Sequence, residues 1–261
     1  MLIPFVKMQA QGNDFVIIDN RKLALQADFS LMSADLCSLH FGIGADGMVL
    51  IENSSLALAR MLIYNSDGSR AEMCGSALRC VTSLLFLEQG DGWLKIETDS
   101  GIKKGLVRSA GTQNMVWVNM GTAEFVEQDL ELIGIRGDLV DVGNKHFVSY
   151  LESVEADPHL LYGSEIEHHP HFFKPVNVQF VKVIDDQNII LKIWEAACGA
   201  TLACGTGATA SVFCGLKKSL LKLPVKVQMP GGFVIIDVDA SGYLLGGEVG
   251  TVFWGETEWK I

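Results

Sequence analysis

The feature that most constrains this chain is that it repeats itself once. Gly12-Asn13-Asp14-Phe15-Val16 returns as Gly143-Asn144-Lys145-His146-Phe147-Val148, and Cys74-Gly75-Ser76-Ala77 returns as Cys204-Gly205-Thr206-Gly207. The strand-like run Leu94-Lys95-Ile96-Glu97 returns as Val225-Lys226-Val227-Gln228. The offsets are 131, 130 and 131 residues. Each of the last two runs then meets a glycine turn, Ser100-Gly101 or Gly231-Gly232, followed by a second strand pattern, which predicts a hairpin in both halves. Three matches in one order at nearly one offset mean two similar domains, not a solenoid, whose period runs to about 20–50 residues. The expected division is 1–121, completed by a C-terminal strand over 250–261, and 122–249.

The pattern within each half is mixed. Phe15–Asp19 and Met48–Glu52 read as short β-branched strands, and Met115–Met120 and Gly247–Trp254 as closing strands. A helix is expected after each Cys-Gly pair, over Ala77–Leu87 and Ala208–Lys218. Leu130–Val142 reads as strand and turn, and Pro158–Pro175 as a polar His-rich loop or short helix. Its histidines, 168, 169 and 171, read as surface residues, since no acidic or cysteine partner completes a metal-ligand spacing. No metal is expected.

Composition narrows the function classes. Of 261 residues 49% are apolar, enough for a sizeable core, and the net charge of −11 comes without any basic run. Nucleic-acid binding, which needs clustered Lys and Arg to neutralise phosphates, is therefore excluded as an expectation. The Lys217-Lys218 pair reads as a solvated helix end. No run of about 18 apolar residues is present, and the start carries no basic region followed by an apolar stretch, so neither membrane nor export is expected. Six cysteines, at 37, 74, 80, 198, 204 and 214, include no CxxC pair, which fits reduced thiols in the cytoplasm. Cys80, Cys214 and Cys37 sit in apolar helical patterns and read as core. Cys198, six residues before Cys204, is expected near the site.

Cys74 and Cys204 differ from these because each precedes a helix. There, unpaired backbone N–H groups and the helix dipole favour negative charge. That setting lowers a thiol pKa. It also offers donors to a carboxylate, with the adjacent glycine permitting close approach. Two weak acid–base groups flanking one carbon are what stereochemical inversion requires: a thiolate removes the α-proton and a thiol returns one to the opposite face. No pattern for a pyridoxal phosphate lysine stands out. Two plainer readings stay open, that the pairs merely begin packed helices, and that the cysteines form a regulatory disulfide.

The motifs resemble those of the diaminopimelate epimerases over nearly the whole chain. Phe5-Val6-Lys7-Met8 through Gly12-Asn13-Asp14-Phe15, Gly42-Ile43-Gly44-Ala45-Asp46-Gly47, Asn65-Ser66-Asp67-Gly68-Ser69 with Glu72-Met73-Cys74-Gly75, Ala203-Cys204-Gly205-Thr206-Gly207-Ala208, Pro230-Gly231-Gly232 and Gly250-Thr251-Val252-Phe253-Trp254-Gly255 all fit. The resemblance implies an α+β fold of two pseudo-symmetric domains. Each would be a curled mixed or antiparallel sheet around a central helix, with the active site in the cleft between them. It implies a cofactor-independent epimerase or racemase acting on a small amino acid, with Cys74 and Cys204 as catalytic thiols. The backbone at Gly75, Ser76, Gly205 and Thr206 would hold the carboxylate of the reacting centre. Asn13, Asn65, Asn144, Asn177 and Glu195 would contact the substrate, the last four around its distal end. From the residues alone the asparagines read as turn formers.

The departures bear on the substrate. Glu195-Ala196-Ala197-Cys198-Gly199 stands where the family commonly reads Glu-Arg-Gly-Ala-Gly, so the arginine that grips the distal carboxylate is Ala196. Cys-Gly-Asn-Gly has become Cys74-Gly75-Ser76-Ala77, and Gly-Asn-Pro-His has become Gly143-Asn144-Lys145-His146. Three alternatives follow: a racemase of an amino acid without a distal carboxylate, a non-catalytic binding protein on the same fold, or a relative of the proline racemases. Oligomeric state, homodimer included, stays open at this level.

Overall fold

The structure is a computed structural model and describes residues 2–90, 92–110 and 113–259. The chain forms two compact units, one of 1–118 with 247–261 and the other of 119–246.

The first unit runs β1 (Leu2–Ala10), β2 (Asn13–Asp19), a short α1 (Asn20–Leu23), α2 (Phe29–Cys37), β3 (Gly47–Glu52), β4 (Ala59–Asn65), β5 (Arg70–Ala71), α3 (Gly75–Gln89), β6 (Leu94–Thr98), β7 (Gly101–Ala110) and β8 (Gln113–Gly121). The second runs β9 (Glu124–Leu132), β10 (Ile135–Asp141), β11 (Lys145–Tyr150), α4 (Pro158–Glu167), β12 (Asn177–Asp185), β13 (Asn188–Glu195), β14 (Gly199–Ala200), α5 (Gly205–Lys217), β15 (Val225–Met229), β16 (Gly232–Asp239) and β17 (Gly242–Glu248). Strand β18 (Gly250–Glu258) returns to the first unit and pairs antiparallel with β1.

Pairing shows the duplication strand by strand. In the first unit β1–β2 is antiparallel, β2–β3 parallel, β3–β4 antiparallel, β4–β6 parallel, and β6–β7–β8 an antiparallel meander. In the second, β10–β11 is antiparallel, β11–β12 parallel, β12–β13 antiparallel, β13–β15 parallel, and β15–β16–β17 an antiparallel meander. Beside β10 lies β9, in the place that β18 takes beside β1. The sheets are mixed and the fold class is α+β.

The sequence dictates why two layers of helix are needed. Phe15-Val16-Ile17-Ile18 and Met48-Val49-Leu50-Ile51 are buried throughout. A continuous apolar run belongs to a strand covered on both faces. Successive side chains alternate, so Val16, Ile18, Met48 and Leu50 join a cluster with Met32, Leu36 and Cys37 of α2. The opposite face meets α3, which packs on β1, β2, β4, β6 and β7. Contacts with strands from both ends of the sheet mean that the sheet curls around the helix. Accordingly every residue of α3 from Gly75 to Thr82 is buried, as suits a helix enclosed on all sides. Helix α5 is likewise buried from Gly207 to Gly215 and packs on β10, β11, β12 and β16. The second unit's outer cluster joins Phe147, Val178 and Phe180 to Ile166 of α4.

Two expectations need correction. Gly247–Trp254 is not one strand but breaks at Val249, between the end of β17, which pairs with β16 over residues 242–246, and β18, which pairs with β1. The short-helix alternative for Pro158–Pro175 holds over its first ten residues, which form α4, begun by Pro158, whose missing N–H costs nothing at a helix start. Lys218 is not simply solvated: its Nζ lies 2.9 Å from Asp138 Oδ2, and Asp138 is 1% exposed. Among the described residues no helix is long and apolar enough to cross a membrane.

Candidate active site

Cys74 is the N-cap of α3 and Cys204 the N-cap of α5, both in extended conformation with φ near −140° (−142° and −139°). The helices begin at Gly75 and Gly205, two and three residues before the expected starts at Ala77 and Ala208. The first-turn N–H groups therefore belong to Gly75 and Ser76 in one unit and to Gly205 and Thr206 in the other, and such groups have no intrahelical acceptor. Each unit thus builds a thiol beside an anion-favouring helix end.

The two surroundings differ. Cys74 is half-buried, and Asn13 Nδ2 points at its sulfur from 3.8 Å. Asn13 begins β2 after a turn in which Gln11 (φ 52°) and Gly12 (φ 83°) are both left-handed. Gln11 is held there by two bonds: its amide nitrogen donates to the Glu248 carbonyl (3.0 Å), and its Oε1 accepts from Arg79 Nη1 (2.7 Å). Asn65, at the end of β4, donates through Nδ2 to Ser69 Oγ (2.9 Å), closing the β4–β5 turn.

Cys204 is 4% exposed, accepts from Gly207 N (3.3 Å) and lies 3.4 Å from Thr206 Oγ1. Burial pushes its thiol well above the ordinary range; the Glu195 carboxylate, by charge and hydrogen bond, pushes the same way, and the donors Thr206 and Gly207 only partly offset this. Glu195 Oε1 also accepts from Thr201 Oγ1 at 2.6 Å.

A polar chain runs behind this site. His146 is fully buried, and burial pushes its pKa down to about 3, so the ring is neutral. Gln179 Nε2 donates to His146 Nδ1 (3.1 Å). That leaves the ring proton on Nε2, where it is donated to Asn144 Oδ1 (3.1 Å). The Asn144 amide is thereby oriented with its N–H₂ outward. Gln179 in turn lies under Gly207, where an added Cβ would come within 2.6 Å of its amide. Asn177 holds the neighbouring segment: Nδ2 donates to the Lys145 carbonyl (3.0 Å) and Oδ1 accepts from Ala196 N (3.1 Å). Glu167, 4% exposed, accepts from Ala197 N (2.8 Å) and Trp194 Nε1 (2.7 Å), fixing Ala197 at φ 64°.

The structure therefore brings Asn13, Gly75 and Ser76 to Cys74, and Glu195, Gly205 and Thr206 to Cys204, while Asn144 and Asn177 lie in the network beside the latter. Cys198 is exposed in the β13–β14 turn. Cys80, Cys214 and Cys37 are buried and their thiols pushed up, Cys80 to about 12 and Cys37 to about 11, chiefly by desolvation. Of the three histidines, His171 Nε2 lies 2.9 Å from Glu127 Oε2 and His168 is exposed. Among the described residues no group of three or more His, Cys, Asp or Glu could hold a metal ion. Arg79, Gln11, His146, Gln179 and Glu167 were not expected at the site from the sequence. The available signal was a polar residue set in an apolar run, as in Ala77-Leu78-Arg79-Cys80-Val81 and His146-Phe147-Val148.

The fold of this pair of repeated mixed-sheet units is shared by solved structures of low sequence identity. A solved structure of a phenazine biosynthesis protein of the PhzF family from Bacillus anthracis superposes with a TM-score of 0.74 at 13% identity, over 99% of this chain and 100% of that one. In sequence, the profile of diaminopimelate epimerase matches residues 5–126 and 139–252. The diaminopimelate epimerases of Halothermothrix orenii and Carboxydothermus hydrogenoformans are 35% and 37% identical, over 98% and 97% of this chain and 98% of each relative. The chain belongs to the diaminopimelate epimerase family and is an isomerase.

Proposed function

We propose that this protein interconverts LL- and meso-diaminopimelate in the cytoplasm, a step toward lysine, by proton transfer at the α-carbon with Cys74 and Cys204 as the acid–base pair. The observation that carries the reading is the placement of these two cysteines as N-caps of the two duplicated, enclosed helices in a chain of this family. One sulfur, as thiolate, takes the α-proton; the carbanion then takes a proton from the other sulfur on the opposite face, so the thiol and thiolate exchange roles and the centre inverts. The α-proton is far less acidic than a thiol. Amides at a helix start, aimed at the carboxylate on which negative charge grows, can each contribute about 3–4 kcal/mol to lowering that barrier. Asn13, beside the Cys74 sulfur, and the oriented Asn144 amide are donors for the substrate. Asn65, Asn177, Glu195, Gly75, Ser76, Gly205 and Thr206 complete the proposed contacts.

Ala196 favours a second reading, in which the substrate lacks a distal carboxylate. Alanine offers neither the charge nor the planar fork of an arginine, and here its N–H is held by Asn177 and that of the next residue, Ala197, by Glu167. Turnover of LL-diaminopimelate compared with neutral L-amino acids decides between them. Efficient turnover of diaminopimelate alone supports the first reading, and turnover only of neutral amino acids supports the second. If Lys145 supplies the missing charge, Lys145→Ala raises KM for diaminopimelate; an unchanged KM rules that out.

A further inference from the structure

Among the described residues Arg79 is the bulkiest fully buried side chain, 1% exposed, and no carboxylate accepts a hydrogen bond from its guanidinium. Its hydrogen-bond acceptors are all neutral: Gln11 Oε1 at 2.7 Å, the carbonyls of Gly75 (3.4 Å) and Glu248 (3.5 Å), and Ser76 Oγ at 3.4 Å. A cation taken out of water with no counter-charge is strongly unfavourable. Of the strands that pack most on α3, β1, β2, β4, β6 and β7, and of β17, which offers Arg79 the Glu248 carbonyl, none brings an Asp, Glu, Lys or His whose charge acts on Arg79 among the described residues; the ionisable groups that do so are Cys80 and Cys74. Cys80 is fully buried and stays a neutral thiol at ordinary pH. Cys74 remains.

The helix explains the geometry. Side chains lean toward the N-terminus of a helix, so Arg79, five residues after the N-cap, reaches back over Gly75 and Ser76 toward the turn that Cys74 caps. The duplication supplies an internal control. At the equivalent place in α5 stands Thr209, equally buried, whose hydroxyl donates to the carbonyl of Gly205 (2.9 Å). The fold itself therefore needs no cation there. Conversely, where the second unit ends β13 with the carboxylate of Glu195, the first ends β4 with the neutral Asn65. One scaffold thus sets a cation beneath one cysteine and an anion beside the other.

We propose that Arg79 is the counter-charge of a Cys74 thiolate and, through Gln11, positions the turn that aims Asn13 at the same sulfur. This rests on the reading of Cys74 as a reacting thiol, and makes Arg79 a positioning residue that biases the resting enzyme toward Cys74 thiolate and Cys204 thiol.

The test is alkylation of the full chain by iodoacetamide between pH 5 and 10, with Cys74 followed by peptide mapping. At pH 7 Arg79→Met reacts about tenfold more slowly than wild type, the effect of one unit of displacement, while the rates converge at pH 10. Arg79→Lys, which keeps the charge, stays within about threefold of wild type. Wild-type reactivity in a folded Arg79→Met, or slowing by one factor at every pH, overturns the proposal. Should Arg79→Met fail to fold, Cys74→Ala gives an independent readout. The thiolate stabilises the fold where it is ionised, so the melting temperature lost on Cys74→Ala is larger at pH 8.5 than at pH 5.5; an equal loss at both overturns the proposal. Neither measurement requires turnover, so a chain inactive on every amino acid would refute the proposed function and leave this test standing.

Discussion

His146 gives the sharpest quantitative prediction, because its ring is fully buried and neutral. Its pKa lies near 3 in the folded chain, through desolvation, against an ordinary value of 6.5. A base whose folded pKa is depressed is protonated first in the unfolded chain, so stability is full above about pH 6.5 and falls as pH drops toward 3. Between pH 7 and pH 5 the loss from this one group is about 2 kcal/mol, since each unit below the unfolded pKa costs about 1.4 kcal/mol. Burial also lowers the pKa of His159, which adds to the wild-type slope with the same sign. The perturbation is therefore His146→Gln. Glutamine can accept from Gln179 and donate to Asn144 as the imidazole does, but does not titrate, and it leaves His159 untouched. Urea unfolding at pH 7 and pH 5, extrapolated linearly, is the assay. The drop in unfolding free energy between the two pH values should be smaller in the variant by about 2 kcal/mol. An equal drop in both proteins would refute the neutral, enclosed ring and with it the fixed orientation of Asn144.

Other predictions concern the same neighbourhoods. Glu195→Gln removes the carboxylate that raises the Cys204 thiol, so Cys204 alkylates faster at pH 8 than in wild type; peptide mapping checks this, and an unchanged rate would contradict the assigned cause. Gly207→Ala drives a methyl into the Gln179 amide, which His146 holds in place, at a cost of about 1–3 kcal/mol. A thermal melt should fall by about 5 °C, and an unaltered melt would mean that Gln179 yields freely. Lys218→Met leaves the buried Asp138 carboxylate with the Asp129 N–H (3.1 Å) in place of its cation, costing about 1–3 kcal/mol in urea unfolding, and no cost would show the pair to be idle.

How much of this was legible in the sequence depended on distance along the chain. The repeat, the apolar strands and the two Cys-Gly helix starts are local patterns, and they read correctly because β runs and N-termini are set by neighbouring residues. The break at Val249 was not legible, since nothing local marks where a continuous β run changes its pairing partner. Charge placement was the least visible. Lys218 meets Asp138 and Arg79 meets Gln11 only through tertiary packing, and Glu195 reaches Cys204 because the β13–β14 hairpin folds nine residues back. His146 stood in a quoted motif, yet its tautomer follows from Gln179, 33 residues away. The opposite electrostatics of the two cysteines could not be inferred from a repeat that made them look equivalent.

The central claim, that two thiols act on one α-carbon, is tested most directly by proton NMR of LL-diaminopimelate with the reduced enzyme in deuterated water. Wild type should yield inverted product carrying solvent deuterium at the α-position, while Cys74→Ala and Cys204→Ala, each folded, should yield none. Inverted, deuterated product from either single variant at a rate near wild type would contradict the two-thiol account.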